Sequence, residues 1–282
     1  MRRTNAMQNR QYSPHPVLSD YVQCLWISER TFLSPLDVLP DSFIELIFSS
    51  GGHCWIDDGQ TVRDLPRCYL VGMLDQPVRL RADGPVRTIA ARFFAWGFHP
   101  LLGHAIQRPP NGMHDLSACW PDLAAQIAQA VRHDDADLAV AHLHDFLIAQ
   151  ALRVQFDQNA LRAARLLLRQ QGQVKIRDLA DSCHVSRRQL ERTFSTVVGI
   201  SPKALARKMR FEHVRQHLWR TPDCDLATLA HACGYADQAH LTREFKHFSH
   251  RTPGQFVAEM RATRELIRTY GVAFVQDSTT IV

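Results

Sequence analysis

Residues 175–205 read KIRDLADSCHVSRRQLERTFSTVVGISPKAL, and residues 225–256 read DLATLAHACGYADQAHLTREFKHFSHRTPGQF. Ile176, Leu179, Ala180 and Cys183 recur fifty residues on as Leu226, Leu229, Ala230 and Cys233. After one inserted residue, Leu190, Phe194 and Pro202 recur fifty-one on as Leu241, Phe245 and Pro253. Such repetition predicts two copies of one supersecondary unit that bury the shared positions. Each copy has the helix, tight turn, helix spacing that places a helix in a DNA groove.

In the first copy Ile176 to Cys183 predicts a supporting helix and His184-Val185 the turn. Ser186 followed by Gln189 is a capping box that starts the next helix. On that helix Leu190, Phe194 and Val197 fall to the buried side, leaving Arg187, Arg188, Glu191, Arg192 and Ser195 outside. In the second copy Asp237 caps, Leu241, Phe245 and Phe248 are buried, and Gln238, Ala239, His240, Thr242 and Arg243 face out. Arg suits guanine O6 and N7, Glu accepts from cytosine N4, Gln suits adenine, and Thr or Ala offers a methyl surface to thymine. Between the copies, Leu205, Met209, Val214 and Leu218 predict a long helix over Pro202 to Trp219. A rigid connector of this kind sets two reading helices about one DNA turn, roughly 34 Å, apart.

The charge follows the repeat. Residues 1–150 carry 12 arginines, no lysine and 16 acids, a net of −4, whereas residues 151–282 carry 21 basic residues and 12 acids, a net of +9. A basic, repeated half suits a polyanionic partner, and a solvated basic surface is the plainer alternative. With 282 residues, 45% of them apolar, the chain is long enough for two domains, here 1–150 and 151–282, with repeat units at about 175–202 and 225–256. Seven cysteines at irregular spacing make no disulfide framework and suit a reducing compartment. Met1 to Tyr12 contains no apolar core of a signal peptide, and no run reaches the roughly 18 apolar residues of a membrane helix. The expectation is a cytoplasmic protein with no membrane partner.

The first half predicts short strands: Phe43 to Phe48 between Pro40-Asp41 and Ser49-Ser50-Gly51-Gly52, then Cys68 to Val71, Val78 to Leu80 and Val86 to Phe94. A small barrel or sandwich follows. After Pro109-Pro110-Asn111-Gly112, a helix opens at Trp120-Pro121-Asp122 with Leu123, Ile127, Ala130 and Val131 on one stripe. Another from about Asp137 has Leu138, Ala141, Phe146 and Leu152 on broadly one side. This helix pair either covers the barrel or carries a homodimer contact. The expected class is α+β: a mostly β N-terminal barrel or sandwich with flanking helices, then an all-α domain of two helix-turn-helix units joined by a linker helix. Strand alternation puts Glu45 on one face with Phe43 and Ile47, either toward a lumen where it meets a ligand, or on an exposed strand face or in a structural ion pair. With Trp26, Trp55, Phe94 and Trp96 it forms the candidate effector-binding set, although plain barrel core is the favoured reading of the aromatics.

These residues carry a resemblance to a known family. From about Asn159 to Arg261 the chain resembles the AraC/XylS transcription regulators, most specifically in LAHACGYADQAHLTREFK (229–246). That resemblance implies double-stranded DNA as partner, contacts to bases from Arg188, Glu191 and Arg192 and from Gln238, Ala239, His240, Thr242 and Arg243, and phosphate contacts from Lys203, Lys208 and Lys246. It also implies a small-molecule effector and activation through RNA polymerase. Tyr235 stands where Phe is usual, His213 where the linker usually has a small or apolar residue, and Ala95 where many sensor domains have Pro.

Enzyme motifs are missing: there is no GxSxG, HExxH, Walker loop or GxGxxG, and no cofactor is expected. His53, Cys54, Cys68, His99, His104, His114 and Cys119 lack metal-ligand spacing, so no metal is expected. Two other readings stay open: a metal-dependent barrel enzyme fused to a DNA-binding domain, and a redox sensor pairing two of Cys24, Cys54, Cys68 and Cys119.

Overall fold

A computed structural model of the protein describes residues 10–32, 34–103, 106, 113–154 and 158–270. The Pro109 to Gly112 turn and His104 lie outside them. Ten strands come first: β1 (Arg10–Tyr12), β2 (Val22–Thr31), β3 (Leu36–Val38), β4 (Phe43–Gly51), β5 (Cys54–Asp57), β6 (Val62–Asp64), β7 (Cys68–Val71), β8 (Val78–Ala82), β9 (Pro85–Phe94) and β10 (Met113–Asp115). A short helix α1 (Phe98–Leu102) precedes β10. The rest is helical: α2 (Pro121–Arg132), α3 (Ala136–Ala151), α4 (Gln158–Arg169), α5 (Ile176–Ser182), α6 (Arg187–Val197), α7 (Pro202–Arg220), α8 (Leu226–Ala232), α9 (Gln238–Ser249) and α10 (Pro253–Tyr270).

The strands form two sheets rather than one closed barrel, in the orders β1-β2-β9-β4-β7-β10 and β3-β8-β5-β6. All pairings are antiparallel. β4 lies at the centre of the larger sheet, with Leu46 opposite Ala91 on β9 and Leu70 on β7. Its two faces go to different places. Ile44, Leu46 and Phe48 join the core under the helices, while Ile47 packs between the sheets with Ile56 and Tyr69. Glu45, on the same face as Ile47, therefore points into the space between the sheets.

The α2–α3 pair covers the larger sheet, α3 packing on β2 and β9. On α3 the buried stripe is Ala139, Val140, Leu143 and Leu147. The expected stripe began one residue too early, and Leu138 and Leu152 are 44% and 72% exposed. A helical period started at 139 rather than 138 turns the face by about 100° and leaves those leucines in water.

Leu161, Ala163, Ala164 and Leu167 of α4 share the first core with the sheet and the first repeat unit. Packing is thus continuous across residue 150.

The two units superimpose in logic down to their caps. Ser186 and Asp237, fifty-one residues apart, cap α6 and α9 by accepting from Gln189 N at 3.2 Å and His240 N at 2.6 Å. Ser201 caps α7 in the same way, and Thr252 accepts from Gln255 N ahead of α10. Positive φ recurs at equivalent turns: His184 and Gly234 after the supporting helix, Gly199 and His250 after the reading helix. Leu190 and Phe194 are buried in one unit, and Leu241, Phe245 and Phe248 in the other. Burying each phenylalanine contributes roughly 2–3 kcal/mol.

The connector α7 belongs to both units and to the sheet domain. Leu205, Ala206 and Met209 fill the first core, whereas Phe211, Val214 and Leu218 fill the second, with Phe211 5.1 Å from the rings of both Phe245 and Phe248. Lys208, Glu212 and Arg215, all buried, form a further stripe.

Candidate nucleic-acid interface and ligand cavity

The capping box at Ser186, complete because Gln189 Oε1 accepts from Ser186 N at 2.9 Å, fixes where α6 begins. Arg187, Arg188, Glu191 and Arg192 then project into solvent along its first turns. Arg187 Nε donates to Glu191 Oε1 at 3.1 Å across one helical turn. Such an exposed pair is worth only about 0.3–0.5 kcal/mol, so it separates readily for another acceptor or donor.

On α9, Gln238, Ala239, Arg243 and Lys246 are exposed, while His240 and Thr242 are half-buried. The His240 ring sits edge-on to Tyr235 at 5.2 Å, so this helix start is stiffened by packing that the sequence did not reveal. Glu244 is bound to Arg207 of α7 through two 2.8 Å bonds. Burial alone would push the Glu244 carboxyl up, but Arg207 overcomes it and holds the group below the usual range. A bidentate clamp of this kind fixes the angle between α9 and the connector.

Lys203 and Lys246 are exposed, but Lys208 is not available to phosphate. Its ammonium donates to the Leu74 carbonyl and to Asp75 Oδ1, the latter at 2.9 Å. Sequence counts Lys208 as one more cation on a basic helix. The sheet domain that covers it is a long-range contact without a local signature. The same seam contains Ser42 Oγ donating to Glu212 at 2.8 Å, ion pairs Asp37–Arg251 and Asp20–Arg165, and a Gln76–His250 hydrogen bond. Leu39 completes it by packing into the second unit's core.

Between the sheets lies a cavity of about 400 Å³ lined by Trp26, Glu45, Ile47, Tyr69, Leu80 and Arg92 among others. Glu45 accepts from Trp26 Nε1 at 3.2 Å and from Arg92 Nε at 2.8 Å. Of the candidate effector set, Glu45 and Trp26 line this cavity and the other three do not. Trp55 stacks on His53 at 5.8 Å. Trp96 is buried, donates to the Asp20 carbonyl at 2.9 Å and stacks on Phe94 at 4.9 Å. Phe94 lines a separate, more open cleft of about 770 Å³ toward α7. The period-2 pattern could side Glu45 but could not say which aromatics beyond the strand shared its space.

Asp41, also on the cavity wall, has its carboxyl pushed up to about 7 by burial, opposed by Arg92 and reinforced by Glu212 and Glu45. Burial brings the Arg30 guanidinium down to about 10. Thiol chemistry is disfavoured: burial raises Cys24 and Cys54 and takes Cys68 up to about 12, opposite to what a reactive thiolate needs. Among the described residues no three His, Cys, Asp or Glu side chains are grouped to hold a metal, and no helix is long and apolar enough to cross a membrane.

Comparison with known proteins places names on these parts. A family described as a helix-turn-helix domain matches residues 179–259, and one described as a domain of unknown function (DUF6597) matches residues 10–111. The chain is 35% identical over 78 residues to the HTH-type transcriptional regulator MtrA of Neisseria gonorrhoeae, covering 28% of this chain and 26% of MtrA. It is 33% identical over 81 residues to a putative AraC-like transcription regulator of Streptomyces lividans, covering 29% and 26%. The chain thus spans about a quarter of the length of these relatives. ToxT of Vibrio cholerae is similar over 91% of this chain and 99% of its own at 12% identity and a TM-score of 0.47. Residues 179–259 thus match a helix-turn-helix family, and over this stretch the chain is similar to AraC-like transcription regulators.

Proposed function

We propose that the protein is a sequence-specific DNA-binding transcription regulator, an activator whose N-terminal domain, residues 1–150, takes a small-molecule effector and whose residues 151–282 bind double-stranded DNA. The observation that carries this reading is the contrast within the repeat. Buried positions agree between α6 and α9, while exposed ones differ: Arg187, Arg188, Glu191 and Arg192 against Gln238, Ala239, His240, Thr242 and Arg243. Two helices of one shape with different chemistry read different bases, so each monomer's site is asymmetric. Lys246 and helix starts hold phosphate. RNA polymerase is the partner of activation, a homodimer is the natural way to double the site, and the cytoplasm is the place of action.

Selection of bound DNA from a random pool tests the reading. One asymmetric motif with two conserved blocks about one turn apart supports it; recovery of sequences no different from the input overturns it. On the recovered motif, Arg192→Ala and Arg243→Ala should each weaken binding by about 5- to 150-fold, equivalent to roughly 1–3 kcal/mol, and relax preference at one base pair.

A further inference from the structure

The cavity between the sheets receives a side chain from outside its own domain. Arg215, on the connector α7, lines it together with Trp26, Glu45 and Ile47, and is only 9% exposed. Its Nε is buried without a hydrogen-bond partner, and no ion pair of its guanidinium is found among the described residues. A buried Nε–H left in this state is costly, because the donor has lost water and gained no acceptor.

Its surroundings do not supply an anion. The wall carries Arg10, Arg30, Arg92 and Arg215 against Asp41 and Glu45. Glu45 is engaged by Arg92 at 2.7 Å, and Arg10 is satisfied outside by Asp137 at 3.1 Å. Asp41 Oδ1, just ahead of β4, accepts from Phe43 N at 3.0 Å. Most of the remaining wall is apolar, with Ile27, Ile47, Leu80 and Tyr69 among its residues, and Gln11, Ser28 and Thr88 add neutral polar groups. A cavity of about 400 Å³ lies within the range of ligand sites, which are mostly apolar with a few placed polar groups.

We propose that this cavity binds an organic anion, a carboxylate joined to an aliphatic or aromatic body, with the carboxylate on Arg215 and the body against the apolar walls of the sheets. The proposal rests on the reading of the N-terminal domain as an effector domain and names the chemical class of the effector. It also gives the ligand a mechanical place. Its charged end is held by the helix that joins the two reading units, its body by the sheet domain, so occupancy ties α7 to the sensor by a charge-assisted bond that empty protein lacks.

Calorimetric titration of the full chain with two isosteric pairs tests this: 4-phenylbutyrate against 4-phenylbutanamide, and octanoate against octanamide. At least one carboxylate should bind ten times or more tighter than its amide. Arg215→Gln should abolish that preference while leaving the weak amide affinity unchanged, which also shows that the variant is folded, and Arg215→Lys should restore part of the preference. Ile47→Trp, which fills the cavity, should abolish binding of both. Equal binding of acid and amide, lost in Ile47→Trp, overturns the anion class and leaves the effector reading standing. A carboxylate preference untouched by Arg215→Gln overturns the assignment to Arg215. No binding of any probe overturns the proposal together with the effector reading of this cavity.

Discussion

Replacing Lys208 by methionine keeps the length of the side chain and removes its charge, which separates a cation that fastens two domains from one that binds DNA. The side chain is 3% exposed, donates to the Leu74 carbonyl, pairs with Asp75 and lies 5.4 Å from the Phe248 ring. The carbonyl contact is a charge-assisted bond worth roughly 1.5–3 kcal/mol. Asp75 is 56% exposed, so water screens that pair to about 0.5–1 kcal/mol. Against these losses stands the desolvation of the ammonium, which methionine no longer requires. The net loss for Lys208→Met should be about 1–2 kcal/mol, and for Lys208→Ala, which adds a cavity, about 3–4 kcal/mol. Denaturant unfolding measures both. DNA affinity of the folded variant is then followed against salt concentration. Each phosphate contact contributes about 0.9 to the slope of log affinity on log salt. Lys208→Met should leave that slope unchanged, whereas the exposed Lys246→Met should reduce it by about one contact. A Lys208→Met protein that is as stable as the parent and loses one contact of slope would refute the placement of Lys208 in the seam.

The remaining expectations concern acid, turns and packing. Asp41 has a folded-state value of about 7 against roughly 3.9 unfolded, so the native state holds more protons in between. Stability should therefore fall as pH rises from about 4 to 7, by about 1–2 kcal/mol once the water reaching Asp41 is allowed for, and Asp41→Asn should flatten that slope in pH-dependent urea unfolding. His184 holds a φ of 54° where the second unit has Gly234, and left-handed backbone costs an L-residue roughly 1–2 kcal/mol. His184→Gly should raise the melting temperature modestly, since glycine's greater freedom when unfolded takes back about 0.5–1 kcal/mol. Gly172, at φ 74°, would drive an added Cβ into the Ala206 carbonyl of α7, so Gly172→Ala should lower stability by about 3 kcal/mol or more in thermal melts.

Much of the helical half was legible because its information is local and stated twice. Buried positions repeat at fifty and fifty-one residues, caps repeat as Ser186 with Asp237, and the α7 span was one residue short at its end. The sheets were legible in part. Strands bounded by turn residues, such as β4 and β7, announced themselves, whereas three-residue strands such as β3, β6 and β10 are too short for a period to show. The seam between halves was not legible at all. Lys208, Glu212 and Arg215 look like an ordinary solvated stripe on a basic helix, and only the fold places Leu74, Ser42 and the cavity opposite them. A partner more than a hundred residues away leaves no trace in helical spacing. The aromatic candidates divided for the same reason: alternation assigns a side within one strand but not which of several enclosures that side faces.

The stripe of Lys208, Glu212 and Arg215 spaces three ionic groups one helical turn apart along a single surface. Surfaces of leucine hold together because water rejects them, and separation exposes oil. Here the opposite holds: when α7 moves off the sheets, water takes up each of these charges readily, and the lost contacts are largely exchanged for hydration. The ionic part of the joint between the sheets and α7 is therefore of the kind that comes apart without adding to the apolar surface exposed.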